Sequence, residues 1–326
     1  MKNLSFLIFC CINILISSKT KGQFIFDQTP GQHNQDVWTA IYSPNERYIV
    51  TASADKTAKL WSVDSVNKEI NSVTELNKHS GQVNTASFSP DSKKIVTSSD
   101  DGTVKIWDIT GKEISTITNN QVIQNKPTKF NSAYFSPDGS KILTSSIDGN
   151  VCFWNANNGN KIICKKDHGD KVWSASFSED GNYITSASDD GSINIYSAKN
   201  LSLKQKIFSG KKQRIWYSTF SKNGSKIGVT YRDTIAQIYD FRSGKLLLTL
   251  KGHHKDVNWI DFSHDEKQAA TSSDDKTVIV WDLTTGNIIQ KLEGHENWVN
   301  SVEYSLNDKN LITSSSDRTL KIWRVK

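Results

Sequence analysis

His79-Ser-Gly-Gln-Val83-Asn-Thr-Ala-Ser-Phe88-Ser-Pro-Asp-Ser-Lys-Lys-Ile95-Val-Thr-Ser-Ser99-Asp-Asp101-Gly102-Thr103-Val-Lys-Ile-Trp107 contains three short strands and the turns that join them. The run from Val83 to Phe88 is rich in strand formers, and Ser89-Pro-Asp-Ser is a turn. Ile95-Val-Thr begins a second strand, Asp100-Asp101-Gly102 makes a tight turn, and Thr103 to Trp107 is a third strand. Ile114-Ser-Thr-Ile117 supplies a fourth. A four-stranded meander with two apolar faces cannot bury both alone, so it must stack on copies of itself.

Six further copies are present. The turn aspartates are Asp55, Asp101, Asp148, Asp190, Asp233, Asp275 and Asp317, separated by 46, 47, 42, 43, 42 and 42 residues. Six positions after each stands an aromatic: Trp61, Trp107, Trp154, Tyr196, Tyr239, Trp281 or Trp323. A fixed period in this range marks a closed array of small sheets, so 326 residues form one unit rather than two conventional domains.

The repeated residues resemble the WD-repeat β-propeller family across residues 23–326. The resemblance implies an all-β, seven-bladed β-propeller of four-stranded antiparallel blades. It also implies that a His, a strand hydroxyl, the turn Asp and the strand Trp form a buried network in each blade. Four copies carry the full set: His33, Ser53, Asp55, Trp61; His79, Ser99, Asp101, Trp107; His253, Ser273, Asp275, Trp281; and His295, Ser315, Asp317, Trp323. Copy four (His168, Ser188, Asp190) has Tyr196 for Trp, and copy three has Lys126 for His. Copy five keeps only Asp233, with Lys211, Tyr231 and Tyr239 at the other places. Because the chain ends three residues after Trp323, the last blade needs a fourth strand from elsewhere. Gln23-Phe-Ile-Phe-Asp27 is the segment expected to supply it and close the ring.

The first 22 residues are different material. A short basic start, an apolar run over residues 4–16 and a Thr20-Lys-Gly22 exit have the form of a secretory signal peptide. The alternative is an uncleaved anchor, although 13 residues interrupted by Asn13 are short for a span. Export is the expectation. Taking Lys2, Lys19 and Lys21 from 40 basic residues leaves 37 against 34 acidic, too mild an excess to indicate nucleic acid. Beyond residue 22 two cysteines remain, Cys152 and Cys164. They could face each other across a hairpin as a disulfide in an oxidising compartment, or serve as two separate small fillers.

Catalytic and metal chemistry finds little support. Five of seven histidines (His33, His79, His168, His253, His295) occupy the repeat position, leaving His254 and His264 in polar turns. A Ser-His-Asp reading fails because the same trio recurs from blade to blade, whereas a catalytic site would be unique. The Asp-Gly turns lack the spaced oxygens of a calcium loop. No enzyme activity, cofactor or metal is expected.

Binding is the better expectation. The family resemblance implies that partners contact the top face through the residues three and five after the repeat His and the one before the turn Asp. Those positions include Trp38, Lys129, Lys171, Trp173, Arg214, Trp216, Arg232 and Trp298. Cations gather on blades three to five, while Asp36, Asp100, Asp256 and Asp274 lie opposite. Asn119-Asn-Gln-Val-Ile-Gln124 is expected to wall the site. The competing account has the tryptophans filling the narrow end of the channel. The leading reading is a monomeric interaction scaffold gripping a protein or peptide with acidic and apolar residues; the other is an exported lectin-like propeller stacking sugars on Trp.

Overall fold

The computed structural model describes residues 23–64, 69–118, 122–123, 126–208 and 214–326. The expected signal segment and most of residues 119–124 lie outside the described residues, as does Lys211. Seven four-stranded antiparallel sheets follow one another along the chain. Blade two is typical: Val83–Phe88 innermost, then Lys94–Ser99, Thr103–Asp108 and the outer Glu113–Thr118. Blade five has the same plan from Ile215–Phe220 to Leu246–Lys251. In blade seven, Val299–Tyr304, Asn310–Ser315 and Leu320–Val325 are completed by Phe24–Gln28, which pairs antiparallel with the last strand of the chain. Gln290, from blade six, hydrogen-bonds both backbone groups of Phe24, accepting from its N–H at 2.8 Å and donating to its carbonyl at 2.6 Å.

Burial explains the composition of each strand. The second strand of every blade is buried on both faces after its first residue, because neighbouring blades cover it on either side. The outer strands alternate toward solvent, as in Ile288–Glu293. The core is therefore a series of seams between blades. Val50, Leu60 and Leu76 of blade one meet Val83, Ile95 and Trp107 of blade two. Ile49 and Trp61 meet Ile312 and Ile322 where the ring closes. In blade five, Gly228 leaves room for the Phe262 ring, which a Cβ there would approach to 2.8 Å. Cys152 and Cys164 stand opposite one another on Val151–Asn155 and Lys161–Lys165 and are joined by a disulfide.

Candidate functional site: the mouth of the channel

The repeated corner comes first because it frames the mouth. In blade two, His79 Nδ1 lies 2.8 Å from Asp101 and Nε2 lies 2.8 Å from Thr97 Oγ1. Trp107 Nε1 donates to the same Thr97 hydroxyl at 2.9 Å, and the Thr103 hydroxyl and Ser80 N–H both donate to Asp101. The proton order Trp to Thr to His to Asp satisfies every member with a neutral imidazole and an ionised carboxylate. Burial opposes the charge of Asp101, but the hydrogen bonds from His79 and Thr103 outweigh it and hold the carboxyl well below the usual range.

One sequence expectation is corrected here. The hydroxyl between His and Trp belongs to Thr51, Thr97, Thr271 and Thr313, two residues before the expected Ser53, Ser99, Ser273 and Ser315. Both positions point to the same side of a strand, so their spacing alone could not separate them. The serines instead brace the turn: each accepts the N–H of its turn aspartate. No serine of the expected trio is thus bonded to a histidine in these four blades. Blade four keeps the contact with Ser186 in the threonine's place. Blade five has Val229 there, and Tyr231 and Tyr239 join hydroxyl to hydroxyl at 2.9 Å. Tyr239 then donates to Gln237, so the buried phenols are satisfied without a histidine.

A β-bulge marks the start of the innermost strand in all seven blades. The residues it leaves out of the ladder are Trp38, Asn84, Asn131, Trp173, Trp216, Asn258 and Asn300. A bulge re-aims one side chain, and here it supplies the lining of a cavity of about 510 Å³. The four asparagines are clamps between blades. Their amides donate to the carbonyls of Phe130, Val172, Val299 and Val37 on the next blade at 2.8–3.0 Å. Where tryptophan stands, that clamp is absent. The Trp173 N–H bonds Asp189 at 2.8 Å, but Trp38 and Trp216 have buried N–H groups with no acceptor among the described residues. Their own turn positions carry Ala54 and Arg232 instead of an acid.

Six of the eight expected partner-binding residues line this cavity: Trp38, Lys129, Trp173, Trp216, Arg232 and Trp298. Lys171 lies over the Trp173 ring, 5.8 Å from its centre, and Arg214 is exposed beside the cavity wall. Trp173 and Trp216 meet edge to face at 4.8 Å, and Arg232 covers Trp216 at 5.2 Å. The expected segregation of charge is broken at both seams between the basic and acidic halves. Lys129 donates to Asp100, and Arg232 pairs with Asp256 at 3.7 Å. Tyr134, Tyr217 and Trp259 form the cavity's floor, with the last two stacked at 3.7 Å. Of the three, only Trp259 stands out in the sequence, as a further tryptophan next to the start of an innermost strand; Tyr134 and Tyr217 occupy no place that the repeat marks, so the floor itself escaped sequence reasoning.

A family model described as WD domain, G-beta repeat matches residues 26–62, 70–108, 119–155, 159–197, 244–282 and 286–324. The chain belongs to this family. WD-repeat propellers are generally protein-interaction scaffolds. The matched segments pass over most of blade five, the copy whose corner is built from two tyrosines. Comparison with curated proteins gives no match. Among the described residues, no group of three or more His, Cys, Asp or Glu could hold a metal, and no helix is long and apolar enough to cross a membrane.

Proposed function

We propose that this protein is a non-catalytic scaffold whose channel mouth binds a peptide or protein segment, centred on the tryptophans of blades four, five and one. The observation that carries this reading is the replacement of the asparagine clamp by tryptophan at Trp38, Trp173 and Trp216. Each replacement gives up a bond between blades and places a rigid aromatic at the mouth, the residue type that dominates binding hot spots. Lys171 and Arg214 make no ion pair among the described residues and remain for an acidic group on the partner; Lys129 and Arg232 are already engaged. The protein acts as a monomer after export, with residues 1–22 serving as the signal. The disulfide supports export, since such bonds persist in oxidising compartments.

The test is a binding screen of the protein against a peptide library and a glycan array, beside a Trp173→Ala, Trp216→Ala variant. Peptide binding weakened at least tenfold in the variant, with circular dichroism unchanged, supports the reading. Glycan binding lost in the same variant would replace it with a lectin. Ligands that bind both proteins equally would make the tryptophans channel filling.

A further inference from the structure

Below the aromatic floor the channel opens into a second chamber of about 250 Å³, at the end where the first and second strands of each blade turn. Its walls include Phe88, Phe135, Tyr134 and Trp259, and three charged side chains reach it: Lys222, Asp261 and Glu303. They come from blades five, six and seven. In blades one to five the place of Asp261 and Glu303 holds Ile41, Ser87, Tyr134, Ser176 and Thr219, so the two carboxylates are peculiar to one side of the ring. Both stitch blades together. Asp261 accepts the Tyr304 N–H and Glu303 accepts the Tyr42 N–H, each at 2.8 Å.

The charges do not balance. Lys222 donates to Asp261 at 3.0 Å, and no cation pairs with Glu303 among the described residues. The second oxygen of Glu303 accepts no hydrogen bond among them either. The Tyr134 hydroxyl is buried, and the Tyr217 hydroxyl lies near it without a well-formed hydrogen bond between them among the described residues. Tyr134 and Glu303 line the same chamber, and burial, then the Glu303 charge, hold that phenol above the usual range. Burial, and then Asp261, push Glu303 up to about 8 despite Lys222. A carboxyl group that lacks a paired cation and is walled by aromatic side chains suits an organic cation, since ring quadrupoles and the carboxylate formed on ionisation attract the same guest. Volume limits that guest to a small molecule or a single side chain.

We propose that this lower chamber is a binding site for an organic ammonium group, held by Glu303 and the Tyr134 hydroxyl against the rings of Trp259, Phe88 and Phe135. The site is separate from the mouth and does not depend on the reading given to it. Guest binding returns Glu303 to its ionised form, so a proton leaves as the cation enters. The groups that set this titration are Lys222, Asp261, Tyr42, Tyr134 and Tyr217.

Titration calorimetry with choline, with n-butylammonium and with the neutral isostere of choline that carries carbon in place of nitrogen tests the site. The cations bind and the isostere does not. Affinity rises about tenfold per pH unit up to about pH 8 and then levels, and buffers of different ionisation enthalpy reveal up to one proton released. Preference for choline over n-butylammonium indicates a free quaternary amine as the natural guest, and the reverse a lysine side chain; either supports the site. Glu303→Gln, which keeps an acceptor for the Tyr42 N–H, lowers affinity at least tenfold and removes the pH dependence. Lys222→Met frees Asp261 and tightens binding by about tenfold, a gain that mere damage to the fold could not produce. The Trp173→Ala, Trp216→Ala variant binds choline unchanged. Equal binding of the isostere, full affinity in Glu303→Gln, or displacement of choline by calcium would overturn the proposal.

Discussion

Blade two and blade five have the same backbone and different chemistry. Both run four antiparallel strands with a bulge at the same place on the innermost one. Blade two fills its buried corner with Trp107, Thr97, His79 and Asp101, a chain in which each of the first three donates to the next. Blade five has Val229 where Thr97 would be, and it pairs Tyr231 with Tyr239. The lesson is that this fold demands a satisfied polar corner, not a particular one. A threonine without its histidine and tryptophan would lose both side-chain partners, and blade five has none of the three.

The two corners should differ most when a member is removed. His79→Ala leaves Asp101 and Thr97 without their shared partner and should cost about 3–5 kcal/mol, because a buried carboxylate loses its main donor and the Thr97 hydroxyl its acceptor together. Chemical denaturation measures it; a loss below about 1 kcal/mol would mean the corner contributes little beyond packing. Thr97→Val copies blade five's residue into blade two and should cost about 2–3 kcal/mol, since it orphans the Trp107 N–H and His79 Nε2 together. The same change made in a chain that also carries His79→Lys, Ser99→Tyr and Trp107→Tyr, the residues of blade five at those places, should cost less, and the coupling in that cycle shows whether blade five's solution is transferable.

Acid should attack the two corners unequally. Asp55, Asp101, Asp190, Asp275 and Asp317 are all held well below the usual range; burial opposes their charge, and the hydrogen bond from the paired histidine outweighs it. With folded pKa values below unfolded ones, their stabilisation is complete above the unfolded value of about 3.9 and lost as pH falls further. Amide exchange measured down to about pH 2.5 should therefore show blades one, two, four, six and seven opening while the residues around the Tyr231–Tyr239 corner of blade five keep their protection. Uniform loss around the ring would show that the blades open as one unit.

Smaller effects sharpen the contrast. Tyr231→Phe removes one neutral hydrogen bond and should cost about 1 kcal/mol, well short of His79→Ala. At the turn after the aspartate the backbone takes a positive φ in every blade but blade five: Gly102 in blade two, but Lys276 in blade six, at φ 73°. Lys276→Gly should raise stability by up to about 1 kcal/mol, since the left-handed conformation strains a residue with a Cβ. Thermal unfolding of the single variant checks it, and no gain would mean that the lysine side chain compensates the strain.

Much of this protein was written in its repeat. The seven aspartates and the aromatics six positions later determined the number of blades, and the order of strands and turns in residues 79–107 is the order observed. Local sequence suffices there because each blade is a meander of neighbouring strands joined by short turns. The hydroxyl of the corner was legible only as far as the strand: Ser99 and Thr97 share a face, and the depth of His79 and Trp107 selects Thr97. The expected tryptophans did reach the mouth, but the bulge that aims them, and the clamping role of Asn84 and its equivalents, depend on the neighbouring blade's carbonyls. The charges show the limit most clearly. Lys129 and Arg232 looked unopposed along the chain, yet each meets an acid from an adjacent blade. Lys222, Asp261 and Glu303 lie about 40 residues apart in sequence and share one chamber. Periodicity is a property of one strand and its turn, so sequence alone determined the ring. Which side chains face one another across the channel depends on where the ring closes, and only the tertiary structure decided that.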